Sequence, residues 1–141
     1  MRFRSPFLIG VTLALFTSCR PEAPDLSFRA ETDDMRFTVL PDPVPPRARE
    51  TITYKVVVRD NKTGQPIETG QGRIFATSMD KASTYDALLP GQGLGTYYGK
   101  LSFITSGPWA VAIQFRRDST KPLERLDWMQ EVFAARGEPK R

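Results

Sequence analysis

Three stretches of this chain alternate apolar and polar residues with a period of two, and that periodicity limits the fold more than any other feature. In Thr51–Asp60, Ile52, Tyr54, Val56 and Val58 share one face while Thr51, Thr53, Lys55 and Arg59 share the other. Tyr97, Gly99, Leu101 and Phe103 form a second such row, and Trp109, Val111, Ile113 and Phe115 a third. Strands of this kind bury one face and wet the other, so they need a second layer to pack against. Weaker β-segments are expected at Met35–Leu40, Arg73–Met79 and Thr84–Leu89. Turn signals separate them: Asp60-Asn61-Lys62-Thr63-Gly64, Pro90-Gly91-Gln92-Gly93 and Thr105-Ser106-Gly107-Pro108. The prolines at 41, 43, 45 and 46 lack backbone donors and are expected to interrupt pairing after Leu40. The expectation is an all-β, immunoglobulin-like antiparallel sandwich of six or seven strands. Gly95-Thr96-Tyr97 is similar to the tyrosine corner of Greek-key sandwiches.

After Asp118 the pattern reads differently. Thr120 can cap a helix, Pro122 suits a first turn, and Leu123, Leu126, Met129 and Phe133 recur at helical spacing before Gly137. One C-terminal amphipathic helix is therefore expected over 119–137, its stripe closing the sandwich or meeting a partner. Trp128 and Val132 would lie on another side, rimmed by Glu124, Arg125 and Glu131, and are the candidate partner-binding residues.

The amino terminus concerns location. Arg2 and Arg4 precede an apolar run from Phe7 to Phe16, followed by Thr17-Ser18-Cys19. Basic residues, a short apolar run and small residues, in that order, make a secretory leader. The run of about ten residues falls short of the roughly 20 that span a bilayer as a helix, so a transmembrane anchor is the lesser alternative. Phe16-Thr17-Ser18-Cys19 resembles the lipobox of bacterial lipoproteins, with phenylalanine where that motif prefers leucine. The resemblance implies cleavage after residue 18 and lipidation of Cys19; cleavage that leaves Cys19 a free thiol is the other alternative. The layout that follows is a signal peptide over 1–18, a Pro-rich tether over 19–26, a sandwich over 27–118, the helix over 119–137 and a tail over 138–141. Arg20 after Cys19, rather than aspartate, tilts the expected address toward the outer membrane.

Cysteine occurs once, so no intrachain disulfide is available, and 123 residues would remain after cleavage, enough for one domain. The formal charge of +4 falls to +2 once Arg2 and Arg4 are removed, and the remaining bases are dispersed, which argues against nucleic acid as a partner.

With these elements in place, a family resemblance emerges. Pro43–Pro46, the strand Thr51–Asp60, the turn Gly64-Gln65-Pro66-Ile67, Gly95-Thr96-Tyr97 and Gly107-Pro108-Trp109 together resemble YtkA-like domains, relatives of FixH, over about residues 35–116. The resemblance implies an exported immunoglobulin-like accessory domain, in some relatives near copper handling. Copper sites draw on His, Met or Cys clusters. This chain has no histidine, and Met35, Met79 and Met129 stand apart in sequence.

Lack of histidine also removes Ser-His-Asp and Cys-His nucleophile chemistry and the commonest base near neutral pH. Asp33, Asp34, Asp80 and Asp86 are the remaining carboxylate candidates, read as turn or loop residues. Gly91-Gln92-Gly93-Leu94-Gly95 lacks the third glycine spacing of a dinucleotide loop, and Gly99-Lys100 lacks the rest of a P-loop. Asn61-Lys62-Thr63 is a formal sequon read as a turn, and Tyr98 is the one aromatic of Tyr97, Tyr98 and Trp109 expected to face out. The functional expectation is a non-catalytic, lipid-anchored extracytoplasmic module without a cofactor, held to the membrane by lipid and presenting a β-sandwich to an envelope protein. A periplasmic copper-type or small-ligand carrier is the alternative.

Overall fold

A computed structural model describes residues 27–137 and 139 of the chain. Eight strands run in chain order: β1 (Phe28–Glu31), β2 (Met35–Asp42), β3 (Thr51–Asp60), β4 (Gln71–Ser78), β5 (Ser83–Pro90), β6 (Thr96–Ser102), β7 (Gly107–Arg116) and β8 (Glu124–Val132). They form one antiparallel sheet of order β1-β2-β3-β6-β5-β4-β7-β8 that folds back on itself as a sandwich. Ring contacts tie the two halves face to face: Phe37 of β2 meets Phe115 of β7 edge-on at 5.7 Å, and Tyr97 of β6 meets the same ring at 4.9 Å.

The three strong alternations become β3, β6 and β7, and their apolar rows are the core. Ile52, Tyr54, Val56, Val58, Leu101, Phe103, Trp109, Val111, Ile113 and Phe115 are all buried. Burying rows of this size against one another is the main stabilising contribution, at roughly 25 cal/mol per Å² of apolar surface.

β5 is the strand at which the sheet turns from one layer to the other. It pairs with β4 from Ser83 to Leu88, but with β6 only at Leu89–Tyr98 and Pro90–Tyr97. Where that ladder stops, side chains take over. Asp86 Oδ2 accepts the Lys100 N–H at 2.8 Å, and Thr84 Oγ1 accepts the Ser102 N–H at 3.3 Å. The two layers part here without leaving those β6 donors unpaired.

Four expectations are corrected. Residues 124–132 are a strand rather than a helix. The alternation Leu126, Trp128, Gln130, Val132 sets that strand's inward row, with Leu126 and Val132 buried and Trp128 half-buried. Leu123, Met129 and Phe133 of the supposed helical stripe are exposed. Nine consecutive residues of β8 pair with β7, and that ladder outweighs a weak local helical preference. Secondly, Pro41 does not end β2: it lies within the strand, opposite Tyr54. Thirdly, Asp86 belongs to β5 rather than to a loop. Lastly, two strands lie outside the three strong and three weaker expected segments, β1 and β8.

The tyrosine at 97 makes a longer-range contact than a local corner. Its hydroxyl donates to the Ile67 carbonyl at 2.7 Å and accepts from the Gly70 N–H at 2.9 Å, pinning the β3–β4 connection to β6. Gly95, at φ +66°, completes this end. Its carbonyl accepts the Val58 N–H at 2.8 Å, and an added Cβ would lie 2.7 Å from the Val58 carbonyl oxygen. Among the described residues no helix is long and apolar enough to cross a membrane. Cys19, the leader and the tether lie outside them.

Candidate interaction surface

The two outer faces of the sandwich differ in chemistry. On the layer β1-β2-β3-β6 the exposed outward positions include Arg29, Arg36, Lys55, Arg59 and Lys100, with the Arg36 Nε–Glu31 Oε1 ion pair at 2.7 Å. On the layer β5-β4-β7-β8 the registers bring an apolar strip together. Tyr85 lies opposite Phe75, Phe75 opposite Ala112, and Ala112 opposite Asp127. In the adjoining row Thr77 pairs with Ala110, and Ala110 with Met129. Tyr85 is 79% exposed and Met129 65%, whereas Ala112 is only 2% exposed. Ala110 and the covered Ala112 thus lie between the Phe75–Tyr85 pair and Met129.

Charge frames this strip. The Arg73 guanidinium sits 5.3 Å from the Phe75 ring centre and Arg125 sits 5.2 Å from it, so one ring carries two cations. Each cation is held from the side. Arg73 Nε donates to Gln114 Oε1 at 2.9 Å, and Arg125 donates from Nε and Nη2 to Asp127 at 2.7–3.0 Å. That fork holds the Asp127 carboxyl below the usual carboxylate range and raises Arg125 in turn. A flat apolar strip flanked by fixed guanidinium groups is suited to contact with another protein surface.

A second concavity lies at the end of the sandwich near the β3–β4 connection. It is a cleft of about 420 Å³ lined by Asp60, Thr63, Gln65, Ile67, Glu68 and Arg117 among others. Two of its charged groups, Asp60 and Arg117, are engaged with each other. Asp60 Oδ1 accepts the Lys62 and Thr63 N–H groups at 2.8 Å each, Asp60 Oδ2 pairs with Arg117 Nη2, and Arg117 also reaches the Asp34 carbonyl at 3.4 Å. The Thr63 N–H and then Arg117 hold the Asp60 carboxyl well below its ordinary range. This cluster ties the β3–β4 turn to the end of β7 and to the β1–β2 turn. Among the described residues no three His, Cys, Asp or Glu side chains are grouped to hold a metal.

The residues singled out from sequence fall as follows. Val132 is buried in the core at 1% exposure, so it offers nothing to a partner. Trp128 is half-buried and faces inward, stacked on Phe28 at 4.9 Å and tilted toward Tyr54 at 6.4 Å. Tyr98 lies on the outer face of the other layer, half-buried, with its ring against Gly91. Asp33, Asp34 and Asp80 are exposed. Met35 is in the core while Met79 and Met129 are exposed. The amino-acid order does not assemble this strip, because Phe75, Tyr85 and Met129 sit on three different strands. The available signal was aromatic residues on the outward positions of β4 and β5, and only the register assembles them.

No family model matches the chain, and no curated protein matches it. Among solved structures it is similar to the crystal structure of a DUF4426 family protein from Pseudomonas aeruginosa PAO1. The TM-score is 0.58 at 9% identity, over 76% of this chain and 94% of that one. At that identity the likeness concerns fold alone, a small β-rich domain.

Proposed function

We propose that this protein is a non-catalytic, lipid-anchored extracytoplasmic module of immunoglobulin-like, YtkA-like kind that holds an envelope protein against the outer face of its β5-β4-β7-β8 layer. The observation that carries the reading is the solvent-facing strip of Phe75, Tyr85, Ala110 and Met129, framed by Arg73 and Arg125, on a domain whose opposite outer face carries Arg29, Arg36, Lys55, Arg59 and Lys100 alongside Leu40 and Tyr98. The partner it fits presents aliphatic or aromatic groups to the strip and a carboxylate to the guanidinium rim. The leader and Cys19 supply the address, since several acyl chains on one residue hold a protein at a membrane where a single chain does so only marginally. The likeness in Gly-x-Tyr and Gly-x-Trp signatures to YtkA-like domains supports an accessory role rather than an enzymatic one.

The test is site-specific photo-crosslinking in cells. A photoreactive residue at position 85 or 129 is expected to capture one envelope protein, and the same residue at position 55, on the other face, is expected to capture none. Equal capture at all three positions, or none at any, would remove this reading. Cys19→Ser is expected to shift the protein from the membrane fraction to the soluble one.

A further inference from the structure

Among the described residues β8 takes a ladder partner on one side only, β7, and it ends the sheet, while the residue after it, Phe133, is bridged to the 46–48 segment: its N–H donates to the Pro46 carbonyl and its carbonyl accepts the Ala48 N–H, both at 2.9 Å. The other terminal strand, β1, is four residues long; β8 has nine, with no proline, glycine or lysine. Natural edges are usually blunted by proline, bulges, inward charges or shortness. β8 has none of these apart from Glu124, a half-buried charge at the start of its inward row, and its outward side chains are a mixed-sign row: Arg125, Asp127, Met129 and Glu131.

That row is self-complementary in one register. Two copies of a strand related by a two-fold axis pair antiparallel about a central residue, and each side-chain row keeps to its own face. Centred on Trp128, residues 125–131 pair: Arg125 faces Glu131 of the second copy, twice by symmetry, and Asp127 faces Met129. Centred one residue earlier, Asp127 opposes Asp127; one residue later, Asp127 opposes Glu131. Both put like charges directly across. Centring on Leu126 matches Arg125 with Asp127 but pairs only the amino-terminal half of the strand; in the Trp128-centred register Arg125 exchanges its own Asp127 for Glu131 of the second copy.

We propose that two copies of this chain associate through β8, antiparallel and centred on Trp128, joining their β5-β4-β7-β8 layers into one continuous sheet. The two apolar strips then lie side by side on the same outer face, so the dimer doubles the surface offered to a partner. In each copy Phe28 stacks on its own Trp128 beside the axis. The interface is isologous and closes after two subunits.

The pairing is tested on the purified full chain carrying Cys19→Ser, so that introduced cysteines are the only thiols. Light scattering on a sizing column is expected to show a monomer–dimer equilibrium within about 1–100 µM. Glu131→Arg, which sets Arg against Arg at both ends, is expected to weaken the dimer about tenfold; adding Arg125→Glu restores it to within about threefold. A monomer throughout that range, or a dimer indifferent to Glu131→Arg, overturns the proposal. Register is read separately by oxidising a mixture of Asp127→Cys and Met129→Cys chains. A 127–129 cross-link between copies supports the Trp128-centred pairing, and a 127–127 cross-link from Asp127→Cys alone overturns it. These measurements need no envelope partner, so their outcome is independent of the photo-crosslinking result.

Discussion

The Phe28 ring of β1 stacks on the Trp128 ring of β8 with centroids 4.9 Å apart and planes 24° from parallel. β1 and β8 are the two ends of the sheet order, so this single aromatic pair joins edges that no hydrogen-bond ladder connects. Trp128→Ala should destabilise the domain by about 2–3 kcal/mol, less than for a fully buried tryptophan. A double-mutant cycle with Phe28→Ala, followed by urea unfolding, should return a coupling of about 0.5–1.5 kcal/mol. Strict additivity would mean the rings do not hold the edges together.

The strand assignment of the carboxy-terminal segment separates two neighbouring apolar residues. Leu126 is 6% exposed and Met129 is 65%. Leu126→Ala should lower stability by about 2–4 kcal/mol, while Met129→Ser should stay within about 0.5 kcal/mol. A helix with its stripe on the core would make both costly, so comparison of their denaturation midpoints distinguishes the two arrangements.

Tyr97→Phe keeps the ring but strips the hydroxyl from two backbone groups of the 67–70 segment. Leaving a buried donor and acceptor unpaired costs about 1–3 kcal/mol. Hydrogen exchange should show faster exchange at the Gly70 amide in this variant, with the β3–β6 ladder little changed.

Acid sensitivity follows from Asp60. Its folded carboxyl sits well below the ordinary range because the Thr63 N–H and Arg117 favour the charged form. A depressed carboxyl contributes stability that is present above the unfolded value, near 4, and lost as pH falls through the folded one. Asp60→Asn should therefore be less stable than the parent at neutral pH and show a shallower loss below about pH 4. Asp118 and Asp127 are lowered too, so a residual acid slope should remain in thermal melts of that variant.

Gly95 should not tolerate a side chain. At φ +66°, with Val58 oxygen 2.7 Å and Pro66 Cβ 2.8 Å from where a Cβ would stand, Gly95→Ala combines backbone strain with a clash. A loss of about 1–3 kcal/mol is expected by chemical denaturation.

Much of this domain is legible in the chain because period-two burial is a local property. Ile52 to Val58 and Trp109 to Phe115 declare their inward rows without reference to any neighbour, and Asp60–Gly64 declares a turn by residue type alone. The same locality fails at residues 123–133, where Leu123, Leu126, Met129 and Phe133 fit a helix while Leu126, Trp128 and Val132 fit a strand. The two patterns share Leu126, and only the unfilled edge of β7 chooses between them. Pro41 shows the same dependence. Its missing donor forbids pairing in the abstract, yet β2 accommodates it at the end of a ladder opposite Tyr54.

What the amino-acid order determined by itself is therefore the class of the fold, its core rows, the absence of histidine-based chemistry and the motif at Cys19. What the tertiary structure decided is where surface chemistry accumulates. Phe75, Tyr85, Ala110 and Met129 lie on four different strands and become neighbours only through strand register, while Trp128 and Val132 are withdrawn into the interior. The reason is physical: alternation along one strand fixes the side on which a residue points, but which residues stand beside it depends on hydrogen-bonded partners distant in sequence.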